Sequence, residues 1–114
     1  MNDSEAIKEI EKFKSGAFWK SIIEAVKQSN DEVNEALGLD ATNKEANDLA
    51  IKHLLNLLVD HYVELGGIAT QLSYHEELEI YREFEKKAGT DNYDWRNVLR
   101  DLKNNLIEEN RKYL

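Results

Sequence analysis

The sequence contains no cysteine and no proline among its 114 residues, and it has only five glycines. Without cysteine, the chain can form neither a disulfide nor a thiolate metal site, and it has no thiol nucleophile. Without proline, helices can continue without the kinks and breaks that proline imposes. These absences exclude disulfide-stabilised scaffolds and cysteine-dependent enzymes, and they favour long helices.

The sequence also lacks a long uncharged apolar run. The densest apolar stretch, residues 49–65, is interrupted by six polar or charged side chains. A membrane-spanning helix needs about 20 mostly apolar residues, so this stretch is predicted to be a core helix. The first residues are polar and acidic, unlike a secretory signal. We therefore expect a protein of the cytoplasm, or of a particle assembled there, that does not interact with a membrane.

Basic residues are few: 15 Lys and Arg stand against 23 Asp and Glu, which gives a net charge of −8 at pH 7. A surface of this sign repels the phosphates of nucleic acids and anionic lipids, so we expect no direct nucleic-acid binding. The acids are unevenly distributed. Residues 29–64 carry eight acidic residues and two lysines, so this part of the chain is strongly acidic.

Helix-start and helix-stop signals divide the chain into six segments. A Ser or Thr followed three residues later by Glu forms a capping-box pattern at Ser29, Thr42 and Ser73, and Gly38 and Gly89 follow apolar residues at predicted helix ends. Apolar residues repeat at helical spacing between these signals, and no alternating strand pattern is present. The predicted helices cover residues 3–14, 17–28, 30–38, 43–65, 73–88 and 92–112.

The predicted fold is all-α, with a single helical domain over residues 1–114. We expect a compact bundle of about five helices and a radius of gyration near ~13 Å. Helix 43–65 is predicted to be central because apolar residues nearly surround it. Its broad apolar face comprises Ala46, Leu49, Ala50, His53, Leu54, Leu57, Leu58, His61, Tyr62 and Leu65. Helix 92–112 has a narrow apolar stripe instead, which is typical of a helix that packs against one neighbour or a partner chain. The stripe comprises Trp95, Val98, Leu99, Leu102, Leu106 and Tyr113.

Two parts of the sequence are candidate protein-binding surfaces. The first lies at the start of the last predicted helix, where Tyr93, Trp95, Arg96 and Arg100 are the residue types that dominate protein interfaces. We interpret them as anchors for a protein partner, which includes a second copy of the chain. The second is an acidic face that could imitate nucleic acid and block a basic groove on a target protein. It comprises Asp31, Glu32, Glu35, Asp40, Glu45 and Asp48, whose charge also favours solubility.

Metal ligation and catalysis have weaker support in the sequence. His61 and Glu64 lie three residues apart and share a helix face, and His53 lies two turns earlier. Together with His75, the histidines could supply a single zinc site, but the repeated Glu-x-x-His motif of a di-metal bundle site is missing. No Gly-x-Ser-x-Gly elbow or phosphate-binding loop is present. We therefore expect no metal, no cofactor and no catalytic residues, and hence a protein that is not an enzyme.

A family resemblance begins at Phe13-Lys14-Ser15-Gly16-Ala17-Phe18-Trp19-Lys20-Ser21-Ile22-Ile23, an aromatic residue and a glycine break before an apolar helix. The pattern continues through Val26, Val33 and Leu37, a polar gap, and a helix with Ile51, Leu54, Leu55, Leu57 and Leu58. Over about residues 10–60 the chain resembles short all-helical accessory proteins encoded among the head and packaging genes of tailed bacteriophages. The resemblance implies a non-enzymatic protein that binds virion or packaging proteins. The chain continues well past Leu58, where such proteins usually stop, and the resemblance implies nothing about that second half.

Overall fold

The computed structural model describes residues 2–63, 72–90 and 92–113, with the backbone alone at Asn92 and Tyr93. Over these residues the chain is a bundle of five helices with no strand, so the predicted fold class is confirmed. None of the helices in this part of the chain is long and apolar enough to cross a bilayer. The helices are α1 (Asp3–Lys14), α2 (Ala17–Leu37), α3 (Lys44–Val63), α4 (Tyr74–Ala88) and α5 (Asn92–Arg111).

One continuous helix, α2, replaces two of the predicted helices. Ser29 and Asn30 resemble a helix start in the sequence, but they are buried in the interior of α2, at 8% and 4% exposure. Asn30 is satisfied there because its side-chain amide donates to Asn47 of α3 at 3.2 Å. An amide with a partner on another helix does not compete for the hydrogen bonds of its own helix. The predicted break between residues 28 and 30 is therefore wrong.

Local chemistry accounts for several of the other helix ends. Ser73 forms the predicted capping box, because its hydroxyl oxygen accepts the Glu76 amide at 3.2 Å and donates to the Glu76 carboxylate at 2.9 Å. Gly38 ends α2 at the predicted position and adopts the left-handed region, with φ at 65°. Gly89 is right-handed instead, with φ at −73°. A glycine is favoured there for a different reason: a Cβ atom would lie 2.4 Å from the Glu85 carbonyl oxygen.

The core is shared by all five helices. α1 packs against α4, α2 packs against α5, and α3 contacts α2, α4 and α5, which is consistent with its predicted central position. An aromatic cluster lies between α2 and α4, where the ring of Trp19 is 5.1 Å from Tyr81 and 6.4 Å from Phe84. Aromatic pairs at these separations stabilise a small core beyond the area that they bury.

The buried face of α3 differs from the predicted one. Leu54, Leu58 and Val59 are at most 1% exposed. The fully buried residues of α3 therefore lie in its C-terminal half. In the N-terminal half, Asn47 lies on the side of α3 that contacts α2, where it forms hydrogen bonds with α2 residues. The neighbouring apolar residues therefore lie on a different side of the helix. Five residues of the predicted apolar face are exposed: Ala46, Leu49, Ala50, His53 and His61. The prediction that these five residues belong to a buried face is therefore wrong.

The bundle is elongated. Its principal dimensions are 49 × 30 × 25 Å, and its radius of gyration is 15.0 Å, larger than the ~13 Å expected for a more spherical chain of this length. The 21-residue helix α2 alone spans about 30 Å at 1.5 Å per residue. The two ends of α2 therefore belong to well-separated surfaces of the molecule.

Candidate protein interface at the acidic end of the bundle

Three asparagines fix the second half of α2 against the first half of α3. The Asn47 side-chain oxygen accepts hydrogen bonds from the amide nitrogens of Asn34, at 2.8 Å, and Asn30, at 3.2 Å. The Asn47 amide nitrogen donates to the carbonyl oxygen of Ala41 at 2.8 Å. The Asn47 side chain thus connects α3 to α2 and to the turn between them. We call Asn30, Asn34 and Asn47 the asparagine cluster.

The turn between α2 and α3 is ordered by its own side chains. Asp40 accepts hydrogen bonds from the Thr42 hydroxyl at 2.6 Å and from the Thr42 amide at 2.8 Å. Both hydrogen bonds favour the carboxylate form, the hydroxyl more strongly, and lower the pKa of Asp40 below its ordinary value. Asn43 then caps α3 by accepting the Ala46 amide at 3.1 Å. The capping residue is therefore one position later than the predicted Thr42.

The structure brings the predicted acidic residues to one end of the molecule, on the second half of α2, the turn and the first turns of α3. Glu32 is partly buried and forms an ion pair with Lys103 of α5 at 2.6 Å. Residues 31–48 contain six acids and one lysine, a net charge of −5. Five of the six acids are exposed and form what we call the acidic end: Asp31, Glu35, Asp40, Glu45 and Asp48.

An apolar stripe is exposed beside these carboxylates. Its residues follow the i, i+3, i+4, i+7 spacing that places side chains on one helix face. Leu49 is 68% exposed, and Leu39 in the adjoining turn is 48% exposed. Glu45 and Asp48 lie next to the stripe on the same helix. The stripe, which we call the α3 stripe, comprises Ala46, Leu49, Ala50 and His53.

The predicted anchors on α5 do not form an exposed aromatic patch. Trp95 is 1% exposed and belongs to the core, so its prediction as a surface anchor is wrong. Arg96 is exposed and stacks on the Trp95 ring, with its guanidinium carbon 4.4 Å from the ring centre. Arg100 is exposed and lies 3.7 Å from Asp101. The side chain of Tyr93 lies outside the described residues.

The apolar stripe of α5 is covered by the chain itself. Leu99 is buried like Trp95, and three further residues of the stripe pack against the core: Val98, Leu102 and Leu106. α5 contacts α2, α3 and α4, so these side chains find intramolecular neighbours. Tyr113, at the end of the predicted stripe, is 86% exposed. The stripe therefore does not require a partner chain to cover it.

The candidate zinc ligands are spread over the bundle. His53 and His61 are exposed on α3, whereas His75 of α4 lies 3.5 Å from the Asp3 carboxylate on α1. Glu64, the partner of His61 in the sequence motif, lies outside the described residues. Within residues 2–63, 72–90 and 92–113, no three His, Asp or Glu side chains are close enough together to hold a metal ion.

A second surface feature, which is not among the surfaces predicted from the sequence, is a cleft at the opposite end of α2. Arg82 and Lys86 of α4 and Arg96 of α5 line it, so a local basic site exists on an acidic protein. The spacing of Arg82 and Lys86, four residues apart on one helix, was a signal in the sequence. The approach of Arg96 depends on the packing of α5, which no local pattern reveals.

No protein family, curated protein or solved structure matches the chain. Its surfaces are therefore the basis for inferring its function.

Proposed function

We propose that this protein is a non-enzymatic interaction module that docks onto a basic surface of a larger protein through its acidic end. The observation that supports this proposal is the exposed α3 stripe beside five exposed carboxylates. Charge complementarity accelerates and orients an encounter, while apolar contact slows dissociation. The asparagine cluster holds both components in place before binding, which reduces the entropy that docking must remove.

The partner surface that fits is basic and carries a projecting apolar ridge. An amphipathic helix with Leu or Met on one face and flanking Lys or Arg residues has this chemistry. Its apolar side chains would lie on Leu49 and its neighbours, and its cations would face Glu45 and Asp48. A flat acidic surface could also bind such a helix, but it would lose affinity steeply with salt because the attraction would be purely electrostatic.

Two partner classes follow from the sequence. The resemblance of residues 10–60 to phage accessory proteins favours a virion or packaging protein, and we propose an assembly role in the host cytoplasm or the particle. The net charge of −5 between residues 31 and 48 favours an inhibitor that covers a nucleic-acid-binding groove. Competition separates these roles, because DNA should displace an inhibitor from its target and should leave an assembly contact intact.

A synthetic helical peptide with a leucine face and flanking lysines tests the proposed surface. We expect the double variant Glu35→Gln/Asp48→Asn to bind it about tenfold more weakly than the unmodified protein at about 20 mM salt, and the difference to shrink at about 200 mM salt. The matched control is Glu24→Gln/Glu109→Gln, which removes the same charge from exposed positions outside the acidic end. The control should change the affinity by less than about twofold. Isothermal titration calorimetry measures the affinity of both double variants for the peptide.

The apolar component needs its own variant. Because Leu49 is 68% exposed, Leu49→Ala should fold normally and should weaken peptide binding at both salt concentrations. Equal losses in the acidic-end variant and its control would mean that only the overall charge attracts the peptide. No loss in either acidic-end variant or Leu49→Ala would place the docking surface elsewhere.

A further inference from the structure

We infer that the cleft at the N-terminal end of α2 binds a small organic phosphate. The cleft has a volume of about 710 Å³, within the range of small-molecule sites. Its walls come from α2, α4 and α5. Three of the side chains that line it are cationic, Arg82, Lys86 and Arg96, and one is acidic, Glu85. This site lies at the end of α2 remote from the acidic end, so the inference does not depend on the proposed docking function.

The first turn of α2 lies at the wall of this cleft, which Ala17 and Phe18 line. Its N-cap is Gly16, which has no side chain to cap the helix, and the first turn contains no acidic residue. The Lys20 amide donates to the Gly16 carbonyl oxygen, whereas the amides of Ala17, Phe18 and Trp19 have no acceptor in the part of the chain that the structure describes. Free amides and the positive end of a helix dipole together favour an anion.

The cations of the cleft are available for a ligand. Among the described residues, no carboxylate lies within ion-pair distance of Lys86 or Arg96, and Arg82 has a long contact of 3.7 Å with Glu9. Arg96 is also held in place by its stacking on Trp95. A guanidinium fixed in this way presents its planar donors with little loss of entropy, which suits phosphate recognition.

A buried donor provides an independent indication of a missing acceptor. Trp95 lines the cleft and is 1% exposed, and its indole Nε1 has no hydrogen-bond partner among the described residues. Buried tryptophan N–H groups usually have a partner, because an unsatisfied donor destabilises the fold. The indole is thus a polar group in the wall of the cleft whose hydrogen-bonding capacity no described residue uses.

The charge distribution selects the class of anion. Cations from two helices and the first turn of a third line the cleft, so a phosphate, which has more anionic oxygens than a carboxylate, has more donors to contact there. A nucleic acid is disfavoured because the molecule carries a net charge of −8 and would repel an extended polyanion. The volume of the cleft exceeds that of a phosphate group alone, and Phe18 lines it, so an organic group has an apolar wall to contact.

A purely structural role for the cations makes a different prediction. Lys86 lies in the last turn of α4, where a cation stabilises the negative end of the helix dipole. If this were its only role, removing the charge would lower the free energy of unfolding, and the folded variant would not bind a phosphate ligand any more weakly than the unmodified protein. Binding and unfolding must therefore be measured on the same variants.

The test is a titration of the isotopically labelled protein with phenyl phosphate, followed by the NMR signals of the Ala17–Trp19 amides and of the Trp95 indole N–H. We expect saturable shifts with a dissociation constant below about 1 mM, and binding at least about tenfold weaker in Lys86→Gln/Arg96→Gln. The control Lys27→Gln/Lys112→Gln removes the same charge from exposed positions outside the cleft and should have little effect. Glu85→Gln removes the repelling carboxylate and should tighten binding, which keeps the test valid even if the double variant folds poorly.

Three results would overturn the inference. Shifts that do not saturate by about 10 mM ligand would mean that the cleft is not a binding site. Equally weakened phenyl phosphate binding in the control variant would mean that the ligand responds to the overall charge of the protein and not to the cations of the cleft. Inorganic phosphate or benzoate binding as tightly as phenyl phosphate would show a general anion contact and not a site for an organic phosphate.

Discussion

The substitution Asn47→Ala removes the acceptor that holds the asparagine cluster together. Asn30 and Asn34 are 4% and 8% exposed, and both donate to the Asn47 side-chain oxygen. After the substitution, two buried amide groups lack an acceptor. The carbonyl oxygen of Ala41 also loses a hydrogen bond, but this residue is exposed and water can replace the donor.

The expected loss follows from these contacts. A buried polar group that loses its partner costs about 1–3 kcal/mol. Two such groups would together cost about 2–6 kcal/mol. The Asn30 contact is the longer one, 3.2 Å against 2.8 Å for Asn34, so we expect a total loss in the lower half of this range, about 2–4 kcal/mol. Because a small domain is stable by only about 5–15 kcal/mol, such a loss should be visible as a large shift in unfolding.

Urea unfolding followed by circular dichroism measures this prediction. The control is Asn105→Ala, an exposed position on α5, which should change the free energy of unfolding by less than about 0.5 kcal/mol. Replacing Asn30, Asn34 and Asn47 together by leucine should recover much of the loss, since no buried amide is then left without a partner. An Asn47→Ala variant as stable as the control would refute the assignment of a structural role to the cluster.

Three further predictions concern helix ends, the core and alkaline pH. Ser73→Ala removes the cap of α4 and should lower the free energy of unfolding by about 1 kcal/mol in a urea titration. Phe84→Ala leaves a cavity at a fully buried position and should lower it by about 3–5 kcal/mol. Burial of Tyr81, reinforced by the Glu77 carboxylate, raises the pKa of its hydroxyl well above the ordinary value of 10.0. The folded state therefore retains a proton that the unfolded state loses, and stability should fall above about pH 10 by up to about 1.4 kcal/mol per pH unit. Unfolding measured at several alkaline pH values should show a smaller decrease in Tyr81→Phe.

The extent of most helices could be predicted because the signals that define them are local. α1 has the predicted bounds, residues 3–14, and α4 begins directly after the capping residue Ser73. Capping boxes, glycines and helical periodicity act within one or two turns, so one sequence is enough to recognise them. Fold class follows from the same signals, since long amphipathic segments without strand patterns must bury their apolar faces against one another.

The errors concern residues whose environment is set by another helix. Asn30 resembles a helix start until its partner Asn47, seventeen residues later, is known. Trp95 resembles a surface anchor because tryptophan beside arginine is common at interfaces, but the packing of α5 on α2 buries it. In α3, the apolar residues near Leu49 and those near Leu54 are equally suited to a core, and only the rotation of the helix distinguishes them.

The sequence predicted which acidic residues form the candidate interface, but it did not predict how they are arranged in space. The acids of residues 31–48 could be counted from the sequence, whereas their convergence at one end depends on how α2 and α3 pack. The α3 stripe was visible as apolar periodicity but was assigned to the core. Sequence patterns thus identify which residues are unusual, and packing decides which of them face a partner.

The position of the acids on α2 opposes the stability of that helix. Glu35 lies in the last turn, which contains no basic residue, and a carboxylate near the negative end of a helix dipole is unfavourable. Glu45 lies in the first turn of α3, where a carboxylate is favourable. We expect Glu35→Gln to raise and Glu45→Gln to lower the free energy of unfolding, each by about 0.3–1 kcal/mol at low salt, while both weaken binding of the basic peptide. Opposite effects on folding with the same effect on binding would indicate that Glu35 is kept for docking at the expense of stability. A Glu35→Gln variant that is no more stable than the unmodified protein would contradict this role for Glu35, because its charge would then not destabilise the fold.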